Sequence, residues 1–297
     1  ANHVATVAVG DGDGVIESVE LRRERLGPLV LGQPSRDGVR VILTATNVMT
    51  YMVGDAQNPS SIRNCLMAAR ENARAVRGTL TTEVWETQNQ TWLEFQRMTA
   101  SGEFRMDPSA LFEWVKFRSH LSRGVTVGTM LQDEALHFLR IGTFLERADN
   151  TARLLDVKFQ ALAGSDYFGG QAAAGQEVDF YHWSAILRSV SGFEIYRKVY
   201  RNVIVPEKVA ELLILRPDMP RSLAACMNDV VANLTLVANA QSTETLRRAG
   251  RLRSDLQYGR IDEILATGLH AYLTQFLDRV GDLGVGISRD FLVPMAA

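Results

Sequence analysis

From residue 41 onward, apolar residues recur three or four positions apart, the period of an amphipathic helix. Ile62, Leu66, Ala69, Ala73 and Val76 form one such stripe, and Arg63, Arg70, Arg74 and Arg77 form a basic stripe beside it. Asn58-Pro59 joins an N-cap residue to a proline at the first helical position. Gly78 is the matching stop. Thr81 or Thr82 caps the next helix, on which Glu83, Glu86, Gln90 and Glu94 share one face and Trp85 and Trp92 another. Asp107-Pro108 repeats the cap-and-proline device and predicts a helix over 111–122. Gly124 and Gly128 then separate it from a long helix over about 131–162.

Beyond it, residues 164–175 are rich in Gly and Ala and read as a mobile loop. Helices follow over about 178–203 and 206–215. Met219-Pro220-Arg221-Ser222 opens a helix reaching about Ala238. Ser242 caps one that runs to Tyr258, Gly259 breaks it, and Gly268 precedes or interrupts a last helix ending near Phe291. A short piece at 39–44 is the one strand-like stretch. The expectation is an all-α fold, a single multi-helix bundle of about eight to ten helices over 41–297. Residues 1–40 are expected to be an irregular N-terminal segment, with the Gly10–Gly14 run a turn rather than a calcium loop.

Composition narrows the function classes. The chain has 297 residues, 46% of them hydrophobic, enough to bury a core. Charge is balanced, 32 basic against 34 acidic residues for a formal net charge of −2, which argues against a dedicated nucleic-acid binder. No apolar run reaches the length of about 18 residues that a membrane span needs. Two cysteines, Cys65 and Cys226, make no disulfide framework and fit a reducing, cytoplasmic compartment. Walker A, GxGxxG, GxSxG and HExxH motifs are absent, so no cofactor is expected in this chain.

Chemistry concentrates on the long helix. Residues 135–145 are apolar nearly all round, the mark of a buried helix. Yet His137, Arg140, Glu146, Arg147, Asp149, Asn150 and Arg153 follow or interrupt them. At 100° per residue, Asp133, His137, Arg140, Arg147 and Thr151 share one side, and Glu146, Asn150 and Arg153 another, with Asp149 placed to bridge Arg153. Two readings fit. The charges pair between helices and set their register, or they form a site for an anion or carboxylate with Glu146 as acid or base. Glu134-x-x-His137 has the spacing of a di-metal ligand pair, but no second Glu-x-x-His exists, and no metal is expected. Arg221 stands where a helix begins and where backbone N–H groups favour an anion. Glu194, Arg197 and Arg201 continue an apolar stripe as charges, either a polar pocket or a helix end in water. Arg247, Arg248, Arg251, Arg253 and Arg260 read as a solvated face.

The block from Leu145 to Asp156, LERADNTARLLD, resembles the signature of the bacterial alpha-E family, a set of all-helical proteins with an "ER" motif. Asn58-Pro59-Ser60-Ser61-Ile62, Ala69-Arg70-Glu71-Asn72-Ala73-Arg74, Glu83-Val84-Trp85-Glu86 and residues 216–222 are similar as well, and the resemblance spans roughly 45–294. It implies Glu146 and Arg147 as the signature pair and candidate catalytic residues. Glu71, Asn72, Arg74, Asn150 and Arg153 join His137, Arg140 and Arg221 as candidate substrate-binding residues. The family's association implies a circularly permuted ATP-grasp protein as partner, with transglutaminase-like or proteasome-like peptidases as further neighbours. ATP and Mg would then belong to the partner ligase. The expected function is a helical component of a peptide- or amide-bond synthesis or modification system, with a buried Glu/Arg site. The alternative is a non-enzymatic scaffold or peptide-binding module for the same partners. Family members usually begin with a helix carrying an earlier Glu-Arg segment. The pairs here are Glu24-Arg25, in poor helical context, and Glu146-Arg147. A motif-bearing first helix is therefore expected to precede this chain.

Overall fold

The computed structural model describes residues 44–102, 107–163 and 174–292. The segment 1–40, any helix before it, and 164–173 of the Gly/Ala-rich stretch lie outside the described residues, as does the strand-like piece up to residue 43. Thr44 itself is the N-cap of a helix, its hydroxyl accepting the Asn47 N–H. Among the described residues there are twelve α-helices and no strand, so the fold is all-α with a helix count slightly above the eight to ten expected. Contacts divide the chain into two compact units with the boundary between Leu131 and Gln132, where periodicity alone suggests one continuous domain.

The first unit holds α1 (Ala45–Gly54), α2 (Ile62–Ala75), α3 (Thr82–Ser101) and α4 (Pro108–Thr129). The α2 helix starts three residues later than Asn58-Pro59 predicts. Ser61 is the cap, its Oγ accepting the Asn64 N–H, while buried Asn58 turns its amide back to the Tyr51 carbonyl. Asn58 Oδ1 accepts from Ser60 N–H, so its capping chemistry makes an Asx turn instead. The α4 helix runs unbroken through Gly124 to Thr129. Those glycines face open space. An exposed glycine costs only about 1 kcal/mol against alanine, less than a packed helix loses by breaking there. Successive helices pack pairwise, α1 on α2, α2 on α3 and α3 on α4. Thr81 meets Thr129, Gln88 meets Ser122 and Arg118 meets Thr91, so α3 and α4 run antiparallel. Leu66, Trp92, Phe95, Leu111, Phe112 and Val115 form the unit's core.

The second unit is built around α5 (Glu134–Ala163), followed by α6 (Ala174–Ser189), α7 (Phe193–Tyr200), α8 (Pro206–Ile214), α9 (Leu223–Leu236), α10 (Thr243–Tyr258), α11 (Ile261–Thr267) and α12 (Leu269–Ile287). The helix expected over 178–203 is broken at Ser191-Gly192, Ser191 taking a φ of 52°. A Cβ on Gly192 would stand 3.2 Å from both the Met219 and Val190 side chains, a tight contact that those side chains would have to yield to. With the break, Glu194 and Arg197 belong to α7 and stand largely in water, the helix-end reading rather than a pocket.

His137 lies against Asn233 and Thr151 against the Arg221 carbonyl, so α9 runs antiparallel to α5. Asp156 meets His270 and Phe138 meets Phe291, so α12 also runs antiparallel to α5. Thr245 bonds Asp290 and Asp255 pairs with Arg279, making α10 antiparallel to α12. Together α5, α9, α10 and α12 form an antiparallel four-helix bundle, each packing on two of the others. Ala148 and Ala152, fully buried and four apart on α5, lie in its core. Small side chains at this spacing let a neighbouring backbone approach closely.

Candidate functional site

Residues on one side of α5 and on α9 make a line of polar groups along the outside of the Ala148/Ala152 core. His137 Nδ1 lies 2.8 Å from Asn233 Oδ1, and Asn233 Nδ2 donates back to the Asp229 carbonyl of its own helix. Further along, Arg140 and Arg147 both act electrostatically on Asp229. Arg147 crosses the Phe144 ring, its guanidinium carbon 5.5 Å from the ring centroid, and reaches toward the Pro220 carbonyl. Thr151 Oγ1 donates to the Arg221 carbonyl at 2.9 Å. The turn that receives these contacts is fixed by Ser222, fully buried, whose Oγ donates to the Arg216 carbonyl and accepts the Ala225 N–H. Ser222 is therefore the cap of α9, and Pro220 and Arg221 precede the helix.

This face gathers His137, Arg140 and Arg147, which the 100° spacing puts on one side of α5, with the Arg221 backbone of the turn before α9. It adds Asp229 and Asn233, which sequence reasoning missed. The signal was available: the two polar residues stand four apart on a helix otherwise dominated by Leu223, Met227, Val230, Val231 and Leu234.

Asp229 is largely exposed, yet partial desolvation beside α5 holds its carboxyl above the ordinary value, and the positive fields of Arg147 and Arg140 pull it down without cancelling the rise. A carboxylate whose folded pKa is raised disfavours folding once it ionises. Asp229→Asn should therefore match or exceed the wild-type urea midpoint at pH 7, with the difference shrinking as pH falls toward about 4, where the unfolded carboxyl also protonates. Urea titrations at pH 7 and pH 4.5 check this, and a clearly lower midpoint for the variant at pH 7 contradicts it.

The remaining candidates sit differently. Glu146 and Arg147 are partly buried rather than enclosed. The reason is their position beside the Ala148 stripe, at the border of the surface that α9 covers. Arg153 is bound by Asp149 one turn before it, Nε to Oδ2 at 2.6 Å, the bridge that the spacing predicts, and this bond raises the guanidinium pKa. Asn150 is exposed. Asp156, at the end of the LERADNTARLLD block, ties α5 to α12 through His270 Nδ1 at 2.6 Å. In the first unit, Glu71, Asn72 and Arg74 lie together on α2, where Glu71 takes both Arg70 and Arg74, the latter at 2.9 Å. Arg247 and Arg248 both close on Glu244, so that part of the basic cluster is paired, and half neutralised, on its own helix.

No group of three or more His, Cys, Asp or Glu residues among the described residues is arranged to hold a metal ion. Nor is any helix there long and apolar enough to cross a membrane.

Among curated proteins and among solved structures, nothing matches this chain. One family model does, over residues 20–292, a longer stretch than the resemblance read from 45 onward, and it takes in both Glu24-Arg25 and Glu146-Arg147. With an all-helical fold and a Glu-Arg pair at the border of its central helix contact, the chain belongs to the Alpha-E family, described as a predicted alpha-helical domain with a conserved ER motif.

Proposed function

We propose that this protein is the helical component of a cytoplasmic system that makes or modifies peptide or amide bonds, and that the α5–α9 face holds a carboxylate or other anionic group for an ATP-grasp partner. The observation that carries the reading is the pair Arg140 and Arg147, two cations on one helix face that both act on the Asp229 carboxyl of α9. Two guanidinium groups on one helix face offer the charge and the paired N–H donors that a carboxylate or phosphate takes. Glu146, next in sequence to Arg147, would orient or deprotonate an amine at that anion. ATP and Mg would be bound by the circularly permuted ATP-grasp protein, and this chain supplies arginines and a carboxylate only. Transglutaminase-like or proteasome-like peptidases are the expected further partners.

The test is a ligase assay with the ATP-grasp partner and Glu146→Gln, its fold checked by circular dichroism. Turnover should fall by about a hundredfold, the lower end for loss of a general acid or base. Unchanged turnover removes Glu146 from the chemistry.

A second reading, a non-enzymatic scaffold or peptide-binding module, is favoured by the local pairing of Arg153 with Asp149 and of Arg74 with Glu71. Under it, the Glu146→Gln chain retains the partner in a pull-down and supports normal turnover. If neither the partner ligase nor a peptidase is retained, the scaffold reading fails.

A further inference from the structure

The α3–α4 contact in the first unit is partly polar where a helix pair would ordinarily bury an apolar stripe. Thr87, Gln88 and Thr91 on α3 and Ser119 on α4 are all buried. Gln88 Nε2 donates to Ser122 Oγ, and Thr91 Oγ1 donates to the Thr87 carbonyl at 2.6 Å. Into this seam α4 places the partly buried guanidinium of Arg118. Its Nε–H donates to Thr91 Oγ1 at 2.8 Å and its Nη2 donates to the Thr87 carbonyl at 3.0 Å.

Both partners are neutral. Among the described residues no carboxylate pairs with Arg118, whereas Arg74, Arg153 and Arg279 each face one. The two bonds occupy the side edge of the guanidinium, the Nε and Nη2 donors. A guanidinium carries five N–H donors. The end edge, one N–H from each Nη, points away from the occupied side as two parallel donors. That spacing matches the two oxygens of a carboxylate. The hydroxyl and carbonyl of α3 hold the plane of the group, so little side-chain freedom remains to be lost on binding.

The geometry points to Arg118 as the receptor for the carboxylate of a small acid, bound end-on in the α3–α4 seam, at a site separate from the α5–α9 face. The carboxylate supplies the counter-charge that a half-buried cation lacks when its partners are all neutral. The site does not depend on the function proposed for α5–α9 and stands or falls apart from it.

The experiment is a titration of the full chain, labelled with [15N]arginine, with sodium acetate, using sodium chloride at matched ionic strength and sodium phosphate as comparisons. The Arg118 Nε resonance is identified by its loss in Arg118→Lys. It is identified independently by its displacement in Thr91→Val, a near-isosteric change that removes the acceptor of the Nε bond together with the Thr91–Thr87 bond, so the assignment survives if one variant fails to fold. Acetate should move this resonance along a saturating curve, and chloride should not. Arg118→Lys, which keeps the charge but not the planar fork and is followed by the broadening of the acetate methyl resonance on addition of protein, should bind acetate about tenfold more weakly than the wild type measured in the same way. A response linear in salt and equal for chloride and acetate overturns the proposal. So does saturation by phosphate alone, or undiminished acetate binding by Arg118→Lys.

Discussion

Replacing Tyr196 with alanine should lower the unfolding free energy by about 3–5 kcal/mol, the range for removing a large buried aromatic ring. Tyr196 is fully buried on α7, its ring 4.9 Å from that of Tyr200. Its hydroxyl does a second job, donating to the Val203 carbonyl and accepting the Val205 N–H, both at 3.1 Å. That pair of bonds shapes the connection to α8, whose Val209, Ala210, Leu212, Leu213 and Ile214 are all buried. Tyr196→Phe keeps the ring and deletes only the oxygen, leaving one carbonyl and one N–H without their partner. Its expected loss is about 1–3 kcal/mol, so the two variants separate packing from hydrogen bonding. Urea unfolding followed by circular dichroism measures both. Equal losses for the two variants would mean that the ring contributes nothing beyond its hydroxyl, against this account.

The second large effect belongs to Asp290, in the π-helical turn Ser288–Leu292 after α12. Its side chain is almost wholly buried. Burial alone would raise the carboxyl pKa, but the hydrogen bonds from Arg289 and Thr245, with the fields of Arg289 and Arg248, bring it below the ordinary value. Thr245 lies in the first turn of α10, so the carboxylate also stands at the positive end of a helix. A folded pKa below the unfolded one means that the stabilisation is fully present above the unfolded value of about 3.9 and is lost as pH falls through the folded value. Asp290→Asn should therefore cost about 1.5–3 kcal/mol at pH 7, the range for hydrogen bonds to a charged group, and progressively less below about pH 4. Denaturant midpoints at pH 7 and at pH 3 read this directly. A deficit of the same size at both values would assign the loss to shape rather than charge. Gly286 belongs to the same arrangement: a Cβ there would stand 2.8 Å from Thr245 Oγ1 and displace the hydroxyl from Asp290.

Much of this architecture is written in local pattern. Thr81, Asp107 and Gly259 mark helix boundaries where the structure has them, because caps and breakers act on their own few residues. The Asp149–Arg153 bridge and the shared side of His137, Arg140, Arg147 and Thr151 follow from helical geometry alone. What escaped depends on partners distant in sequence. Asn58 looks like a cap until the Tyr51 carbonyl claims its amide. Gly124 looks like a stop, but a packed helix overrides a weak local preference. Asp229 gains its raised pKa only from the partial desolvation beside α5, and Arg118 is unremarkable until α3 presents two neutral acceptors. The division at Leu131 has no sequence marker of its own, since no Pro-, Gly- or Ser-rich linker stands there.

The contact between α5 and the end of the chain bears on the order of assembly. In the first unit, paired residues are close in the chain: 19 apart for Arg70 and Asn89, 34 for Gln88 and Ser122. Asp156 and His270 are separated by 114 positions, and His137 and Asn233 by 96. During synthesis the first unit can therefore complete its helix pairs while the rest is still being made. The apolar length of α5 emerges next and must wait, uncovered, for α9 and then α12. Closing so long a loop comes before any contact rewards it, which makes this step slow and exposes α5 to association in the interval. The arginines around 140–153 break up that apolar surface while it waits, so the charges that mark the candidate site also guard the nascent helix against aggregation.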